Sequence, residues 1–423
     1  MSDEQDLIRT LRTAADQVER RDLVASVARR RRARRTRQRV KVLLAAVAVV
    51  VIAGGTTAIV SGEDGRDAPP AVQVTPSSSV PAARPAAELW PKAVVKVPMR
   101  DSEGRGVQLV TGLGTTEVLL VVNSAFEKAG RLEVYDSASG TTRALGDIPS
   151  PRKKYYPQLF AASREYIAWF GTTPQDSVPW ADFWVMPAQG GKARRVGEVD
   201  ADVDRIALAG DSLVWSVKEG GVYRMPLTGG APERLPATDG LHLMAWPWAA
   251  GLSDDRPFAN QNRVVNLETG RSADVALPEK AEGVQCDAQW CVGMLDEHVL
   301  VQRIDGSGRR TLPQGLRLRP GRTLLGGSYA LFRVYDPDRY KSGVPIAMLY
   351  DLATGTMAGV GERSVGVLSG NVGAGASFSS PSTAVFWDAD EKYYEQCANG
   401  QCQVKTRGGG KEYTVLNLAA VTR

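Results

Sequence analysis

An uninterrupted apolar run lies near the start of the chain. Residues 42 to 60 read VLLAAVAVVVIAGGTTAIV, nineteen residues without a charge. At about 1.5 Å per residue a helix of this length spans roughly 28 Å, close to the roughly 30 Å hydrocarbon core of a bilayer. The run therefore predicts one transmembrane helix. A cleaved signal peptide is the alternative, but the segment before the run is long and no A-x-A site follows it, so we expect an uncleaved anchor.

Strand-like patterns fill the rest of the chain after residue 91. The segment 183–196 (FWVMPAQGGKARRV) matches 222–235 (VYRMPLTGGAPERL) position for position, thirty-nine residues later. The same order of apolar strand, glycine turn and polar strand recurs, which gives seven turns, at Gly140, Gly191, Gly230, Gly270, Gly308, Gly355 and Gly410. The mean spacing of these turns is 45 residues, about the length of a four-stranded propeller blade.

The predicted fold is an all-β β-propeller over residues 92–423, with seven blades of four strands. Two of the intervals between turns are longer, 51 and 55 residues, so six or eight blades stay possible alternatives. A second apolar strand precedes most of these turns, and it should be buried on both sides; these strands lie at 118–122, 166–170, 213–217, 329–334 and 384–387. The strand at 93–99 should close the ring against 413–418, which removes the free sheet edges.

The blade hairpins resemble those of TolB-like β-propellers. The resemblance rests on segments such as GVYRMPLTGG at 221–230 and covers residues 92–423. It implies the architecture, whereas propellers as a class host enzymes, lectins and protein-binding platforms.

Charge is divided unevenly along the chain. Residues 1–41, the stub, hold 13 Lys and Arg against 6 Asp and Glu, a net charge of +7. The rest of the chain has a net charge of −2, which gives the total of +5. The basic block immediately before the apolar run consists of Arg29, Arg30, Arg31, Arg32, Arg34, Arg35, Arg37, Arg39 and Lys41. The positive-inside rule then places the stub in the cytoplasm and the C-terminal domain outside a plasma membrane crossed once. The block should also contact anionic lipid, and we expect no direct nucleic-acid binding.

The stub carries an amphipathic helical pattern. Leu7, Leu11, Ala14 and Val18 follow at spacings of four, three and four, which predicts an apolar partner face. Such a helix is unstable alone and needs a partner surface or the membrane. Residues 61–91 follow the membrane span and are rich in Pro, Ala and Ser, which is typical of an extended linker.

The layout of stub, Arg block, single span, linker and propeller resembles actinobacterial membrane proteins that accompany extracytoplasmic-function sigma factors. This resemblance implies a sensor or anti-sigma-like partner of a cytoplasmic sigma-factor-type regulator. The stub lacks the His and Cys of metal-type anti-sigma domains. Whether it signals or only anchors stays open, and an envelope scaffold without signalling is the alternative.

Four cysteines form two C-x4-C pairs, Cys286 with Cys291 and Cys397 with Cys402. In an oxidising compartment four cysteines allow three pairings, and the local one needs the least rearrangement of the chain. Asn399 and Gly400 predict a tight turn inside the second pair, so that disulfide should join two strands of a hairpin. A zinc site would need both pairs to meet without a nearby His.

Catalytic chemistry has few candidates. His242 and His298 are the only imidazoles, and no G-x-S-x-G motif is present, so we expect no catalytic, cofactor or metal residues and no enzyme. An extracytoplasmic hydrolase or lyase at either His is the alternative. Acidic clusters predict solvated turns, with bound calcium as the alternative; they lie at Asp200/Asp202/Asp204, Asp254/Asp255 and Asp388/Asp390/Glu391.

Six tryptophans complete the candidates: Trp169, Trp215, Trp246, Trp248, Trp290 and Trp387. They should pack between blades, and stacking on a sugar or peptide at the ring mouth is the alternative. The predicted function is that of a membrane-anchored, extracytoplasmic platform that binds a protein, peptide or glycan.

Overall fold

The computed structural model describes residues 83–125, 128–153, 155–173, 179–254, 258–319, 323–335, 344–362, 372–374, 382–388, 392–398, 401–407 and 411–422. The chain divides into two compact units, Met1–Val74 and Thr75–Arg423, and every described residue belongs to the second. The predicted stub with its partner face and basic block, the predicted membrane span and the linker up to residue 82 lie outside the described residues. Within the described part, no helix is long and apolar enough to cross a membrane.

Strands make up nearly all the regular structure. In chain order the elements are α1 (Ala86–Leu89), β1 (Val94–Pro98), β2 (Val107–Gly112), β3 (Glu117–Ala125), β4 (Lys128–Asp136), β5 (Thr141–Asp147), β6 (Tyr156–Ala162), β7 (Tyr166–Thr172), β8 (Ala181–Pro187), β9 (Arg194–Val199), β10 (Val203–Ala209), β11 (Ser212–Val217), β12 (Val222–Pro226), β13 (Glu233–Arg234), β14 (Leu241–Ala245), β15 (Trp248–Leu252), β16 (Gln261–Asn266), β17 (Ser272–Asp274), β18 (Glu282–Cys286), β19 (Trp290–Leu295), β20 (His298–Arg303), β21 (Arg310–Thr311), β22 (Leu316–Arg317), β23 (Leu324–Leu325), β24 (Tyr329–Val334), β25 (Pro345–Asp351), β26 (Met357–Glu362), β27 (Val372–Ala374), β28 (Ala384–Asp388), β29 (Lys392–Ala398), β30 (Gln401–Arg407), β31 (Glu412–Asn417) and a 3-10 turn (Leu418–Ala420).

The described strands form seven antiparallel sheets that are the blades of a β-propeller, together with a separate two-stranded ribbon. Blades 1 to 5 are β2–β5, β6–β9, β10–β13, β14–β17 and β18–β21, each with its strands in chain order. Blade 6 is β22–β26, in which β22 and β23 both pair with β24 and so form a broken first strand. Blade 7 has the order β27, β28, β31, β1. The all-β, seven-bladed prediction is thereby confirmed.

The ring closes with a strand from the opposite end of the domain. In blade 7, β1 pairs antiparallel with β31, and Val94 lies opposite Leu416. The predicted closure of 93–99 against 413–418 is therefore confirmed. The first and last strands of the propeller share one sheet, so the chain cannot lose either strand without opening the ring.

The core consists of apolar clusters between neighbouring blades. Among the described residues there are seven such clusters, one for each blade-to-blade contact around the ring. The second strand of each blade supplies much of them, as predicted: Ile167 and Trp169 of β7 and Leu213 of β11 are fully buried. A propeller thus has no single core, and burial at every contact stabilises the closed ring.

The turns between third and fourth strands repeat the same hydrogen bond. The amide of Gly270 donates to the Asn266 carbonyl, and the amide of Gly355 donates to the Asp351 carbonyl, both at 2.8 Å. Both glycines have positive φ, 69° and 79°, a conformation that glycine adopts at little cost. The side chains of Asn266 and Asp351 accept further backbone N–H groups in these turns, as the sequence predicts.

The seventh predicted turn, at Gly410, does not mark a blade. β30, the strand that precedes Gly410, pairs with β29 in a separate two-stranded ribbon inserted between β28 and β31. The outer strand of blade 7 is β1, so this blade needs no fourth strand after β31. Gly410 itself lies outside the described residues.

Both cysteine pairs lie on hairpins. Cys286 and Cys291 form a disulfide between β18 and β19, which confirms the first predicted pairing. Cys397 and Cys402 are opposite each other in the register of the β29–β30 ribbon, while their side chains lie outside the described part. The first disulfide therefore fixes the turn at residues 287–290 between the first two strands of blade 5.

Residues 83–91, which the composition assigns to the linker, pack against blade 6. α1 buries Ala86 in the cluster between blades 6 and 7. Arg84 accepts the amide of Gly359 in β26 at 2.9 Å through its carbonyl. This end of the predicted linker is thus part of the folded unit.

Candidate functional site

A cavity of about 650 Å³ opens where five blades meet. It is lined by Asp204 of blade 3, His242 of blade 4, Gln285 of blade 5, Ser328 of blade 6 and Ser382 of blade 7, among others. Only the space around the common axis of a propeller is reached by so many blades, so we refer to it as the axial cavity. Its volume is within the usual range of small-molecule sites.

The axial cavity extends along the strands. Leu252 lies at the end of β15, on the side of the loops between second and third strands. Asp287 and Ser328 lie in turns between first and second strands, which are at the opposite ends of the blades. A ligand in this cavity would therefore contact loops at one end and first-strand turns at the other.

A hydrogen-bonded network occupies the wall between blades 3 and 4. The Asp204 carboxylate accepts a hydrogen bond from the Ser216 hydroxyl at 2.5 Å, and its other oxygen is 2.9 Å from His242 Nδ1. The Leu243 amide donates to the Ser216 hydroxyl oxygen at 3.0 Å. Burial raises the pKa of Asp204, but the hydrogen bonds from His242 and Ser216 outweigh it, so the net pKa is lowered.

This network has the residue types of a catalytic triad in a different arrangement. Ser216 is fully buried and bonds to Asp204 rather than to the imidazole. Asp204 therefore lies between the serine and the histidine, whereas in a triad the histidine lies between the other two. The arrangement fixes the orientation of the His242 ring at the cavity wall.

Two exposed apolar side chains lie at the loop end of the axial cavity, beside the polar Lys218 and Gln261. They are Leu252 and Phe258, which are 36% and 62% exposed. Among the described residues, only Tyr335 is another large apolar side chain with comparable exposure. Trp248 lies further along the same wall and is half-buried. Exposed apolar surface next to a cavity is typical of ligand-binding sites.

At the turn end, the disulfide fixes a turn that carries a carboxyl group. Asp287 Oδ1 accepts the amides of Gln289 and Trp290 at 2.7 and 2.6 Å, between the bonded Cys286 and Cys291. Burial raises the pKa of Asp287 despite these two hydrogen bonds. The disulfide and the turn therefore position a carboxyl group at the cavity wall.

The remaining residues that the sequence suggested as candidates do not come together in one site. His298 lies outside the cavity, and its Nδ1 is 3.1 Å from the Leu312 carbonyl. Asp202 pairs with Lys218, while Asp204 joins the network, so this acidic cluster does not converge on one point. Among the described residues no group of three His, Cys, Asp or Glu could hold a metal ion. Asp255, Asp390 and Glu391 lie outside the described residues.

The six tryptophans fall into two groups. Trp169, Trp215, Trp290 and Trp387 are at most 7% exposed and belong to the clusters between blades, as predicted. Trp246 and Trp248 are half-buried and also pack against clusters between blades, on either side of blade 4. Trp246 donates its indole N–H to the exposed Glu268, outside the cavity, whereas Trp248 lines the cavity.

The Asp204–His242 pair is a feature that sequence reasoning missed. Both residues were singled out, but not as partners. Asp204 is the second residue of β10 and His242 the second residue of β14, 38 positions later. Equivalent positions in consecutive blades are neighbours around the axis. The repeat spacing of 39 was therefore the signal that could have joined them.

We expect Asp204→Asn to destabilise the protein at pH 7 by about 2 kcal/mol, because hydrogen bonds to a charged group contribute this much. The folded-state pKa of Asp204 is lowered, so its stabilisation is present above the unfolded pKa of about 3.9 and is lost as the pH falls through the folded value. The difference from wild type, measured by denaturant unfolding, should therefore shrink between pH 5 and pH 2.5.

Asp202→Asn is the matched control, because Asp202 pairs with a largely exposed lysine. This substitution should lower the free energy of unfolding by less than about 1 kcal/mol. If Asp204→Asn lowered the free energy of unfolding by the same amount at pH 7 and at pH 2.5, the lowered pKa of Asp204 would be contradicted.

Comparison with known proteins shows only distant likeness. No protein-family model matches this chain, and no curated protein matches it. Similar solved structures include a prolyl endopeptidase (14% identity, TM-score 0.41, 72% of this chain and 47% of that one) and Kluyveromyces lactis Hsv2 (11%, 0.38, 72% and 99%). The computationally designed protein Ika8 is another (12%, 0.37, 75% and 86%). This chain spans about half of the endopeptidase. At these TM-scores the likenesses carry no functional argument, and the propeller assignment rests on the strand pairing.

Proposed function

We propose that this protein is a binding platform whose ligand enters the axial cavity. The observation that carries the proposal is the cavity itself, whose wall combines exposed apolar side chains, a carboxyl group fixed beside the disulfide and an oriented imidazole. β-Propellers commonly serve as binding platforms. We further propose that the platform binds its ligand without turning it over, because Ser216 is committed to Asp204 and the amide of Leu243.

The finer proposal is a TolB-like propeller on a single-pass plasma-membrane protein, with the propeller outside the cytoplasm. The uncharged run at 42–60 and the basic block before it support this topology. A disulfide in the propeller is consistent with an oxidising compartment. Membrane lipids are then one partner.

The stub is proposed to contact a cytoplasmic regulator of the sigma-factor type. The apolar face formed by Leu7, Leu11, Ala14 and Val18 supports this, because such a face needs a partner. An envelope scaffold would use the propeller alone and would not depend on this face.

The experiment is affinity capture of tagged full-length protein from native membranes, with bound proteins identified by mass spectrometry. We expect a cytoplasmic regulator to be retained by the wild type and lost from a variant without residues 1–28 and from Leu11→Glu. Gln5→Glu adds the same charge on the opposite helix face and should retain the regulator.

If all four proteins retain the same envelope proteins and no cytoplasmic one, the signalling proposal falls and the scaffold replaces it. If the wild type retains no envelope or cytoplasmic protein, the proposal of a protein-binding platform falls.

A further inference from the structure

The walls of the axial cavity indicate which chemical class of ligand would fit. We propose that the cavity binds a neutral saccharide, with Trp248 as the surface on which a sugar ring stacks; this inference rests on the proposed binding function and deepens it.

Trp248 differs from the fully buried tryptophans in its position at the cavity wall. It begins β15, is half-buried there and packs against the cluster between blades 4 and 5. Among the described residues its indole N–H has no hydrogen-bond partner, whereas that of Trp246 donates to Glu268. An aromatic ring with a free polar edge is suited to a ligand that is apolar on one face and hydroxylated around its rim, as a pyranose is.

Planar polar side chains surround the same space. Gln261, Gln285 and Gln289 line the cavity together with Asp287 and His242. Gln261 uses its carbonyl oxygen to accept the Cys286 amide at 2.6 Å, which leaves its amide N–H groups available. Each sugar hydroxyl both donates and accepts, so a wall that offers amides, a carboxyl group and an imidazole matches it better than a wall of one type.

The charged groups at the cavity wall have partners. Asp204 accepts hydrogen bonds from Ser216 and His242 and interacts electrostatically with Arg205, which also lines the cavity, and Lys218 pairs with Asp202. Asp287 satisfies one of its oxygens with two backbone amides. A strongly charged ligand would find no uncompensated opposite charge among these groups, and its desolvation would not be offset. A neutral ligand avoids this cost.

The test uses the full-length protein in phospholipid nanodiscs, because maltoside detergents carry a sugar headgroup of their own. The probes are glucose, N-acetylglucosamine, maltose and trehalose, with glucose 6-phosphate and tetraalanine as the charged and peptide alternatives. Tryptophan fluorescence measures affinity, and saturation-transfer NMR shows whether the bound sugar remains unchanged. We expect at least one neutral sugar to bind saturably and to be recovered unchanged.

Trp248→Ala should weaken that binding about tenfold or more, and Gln285→Ala should weaken it several-fold. Trp246→Ala is the matched control and should change the affinity by less than twofold. Trp248→Phe keeps an aromatic face and should recover part of the affinity, which separates loss of stacking from misfolding.

Absence of saturable binding by every neutral sugar would overturn the saccharide proposal, as would tighter binding of the phosphate or the peptide, or unchanged affinity in Trp248→Ala. If capture from native membranes still retains a partner in any of these cases, the ligand class has failed and the binding platform stands. If a sugar binds and capture retains no protein, the saccharide site stands and the protein-binding platform has failed.

Discussion

Replacing Val97 with Asp is expected to unfold most of the propeller at 25 °C or to lower its melting temperature by about 10 °C or more. Val97 is fully buried on the closing strand β1, in the cluster between blades 7 and 1. Its neighbours there, such as Leu109 and Val415, are apolar and offer no partner for a carboxylate. An unpaired buried charge costs about 3–5 kcal/mol, a large part of the 5–15 kcal/mol that stabilises most proteins.

The measurement is thermal and denaturant unfolding of the full-length protein followed by tryptophan fluorescence. Lys96→Asp is the control, because Lys96 is exposed on the same strand and donates one hydrogen bond to Thr414. It should cost about 1 kcal/mol or less. If Val97→Asp is no more destabilising than Lys96→Asp, the closing strand does not hold the ring together.

The propeller could be predicted because its strands and turns repeat along the sequence. A propeller buries both faces of its second strands, so these read as continuous apolar runs. Its turns need glycine, and the recurrence of glycine turns indicates a repeat, although intervals of 51 and 55 residues leave the number of blades open. The closing strand followed from the architecture, because in propeller rings the last blade is commonly closed by a strand from the other terminus, and 93–99 was the candidate to pair with 413–418.

The seventh turn could not be assigned from the same pattern. The β29–β30 ribbon also consists of two paired strands, and glycines follow it in the sequence, as they follow a strand of a blade hairpin. Spacing alone does not distinguish an inserted ribbon from a blade. What distinguishes them is the partner of β31, which is β1 from the start of the domain.

The axial cavity was beyond sequence reasoning for another reason. Its residues come from five blades and lie up to 178 positions apart, between Asp204 and Ser382. No local pattern marks residues that face the axis, because inner strands alternate between the cavity and the blade contacts. Trp248 and the buried tryptophans read alike in the sequence, and only the fold separates the cavity wall from the core.

Gly171→Ala is expected to destabilise the propeller by about 3 kcal/mol or more through a steric contact alone. Gly171 lies in β7, opposite Pro157 and Asp182. A Cβ atom there would lie 2.1 Å from Tyr155 Cζ and 2.2 Å from its hydroxyl oxygen. The Tyr155 ring is 4% exposed and packs edge-on against Trp180, so it cannot turn away into solvent. Overpacking of this kind costs about 1–3 kcal/mol where neighbours can shift, and more where they cannot.

A double-mutant cycle isolates the contact. Tyr155→Leu removes the atoms that a Cβ at 171 would meet, so Gly171→Ala should cost less than about 1 kcal/mol in that background, a coupling of 2 kcal/mol or more measured by denaturant unfolding. Gly114→Ala is the control, since no atom lies within 4 Å of a Cβ at that position, and it should be nearly neutral. Equal costs of Gly171→Ala with and without Tyr155 would mean that the penalty comes from the strand backbone, because only the side-chain contact depends on the tyrosine.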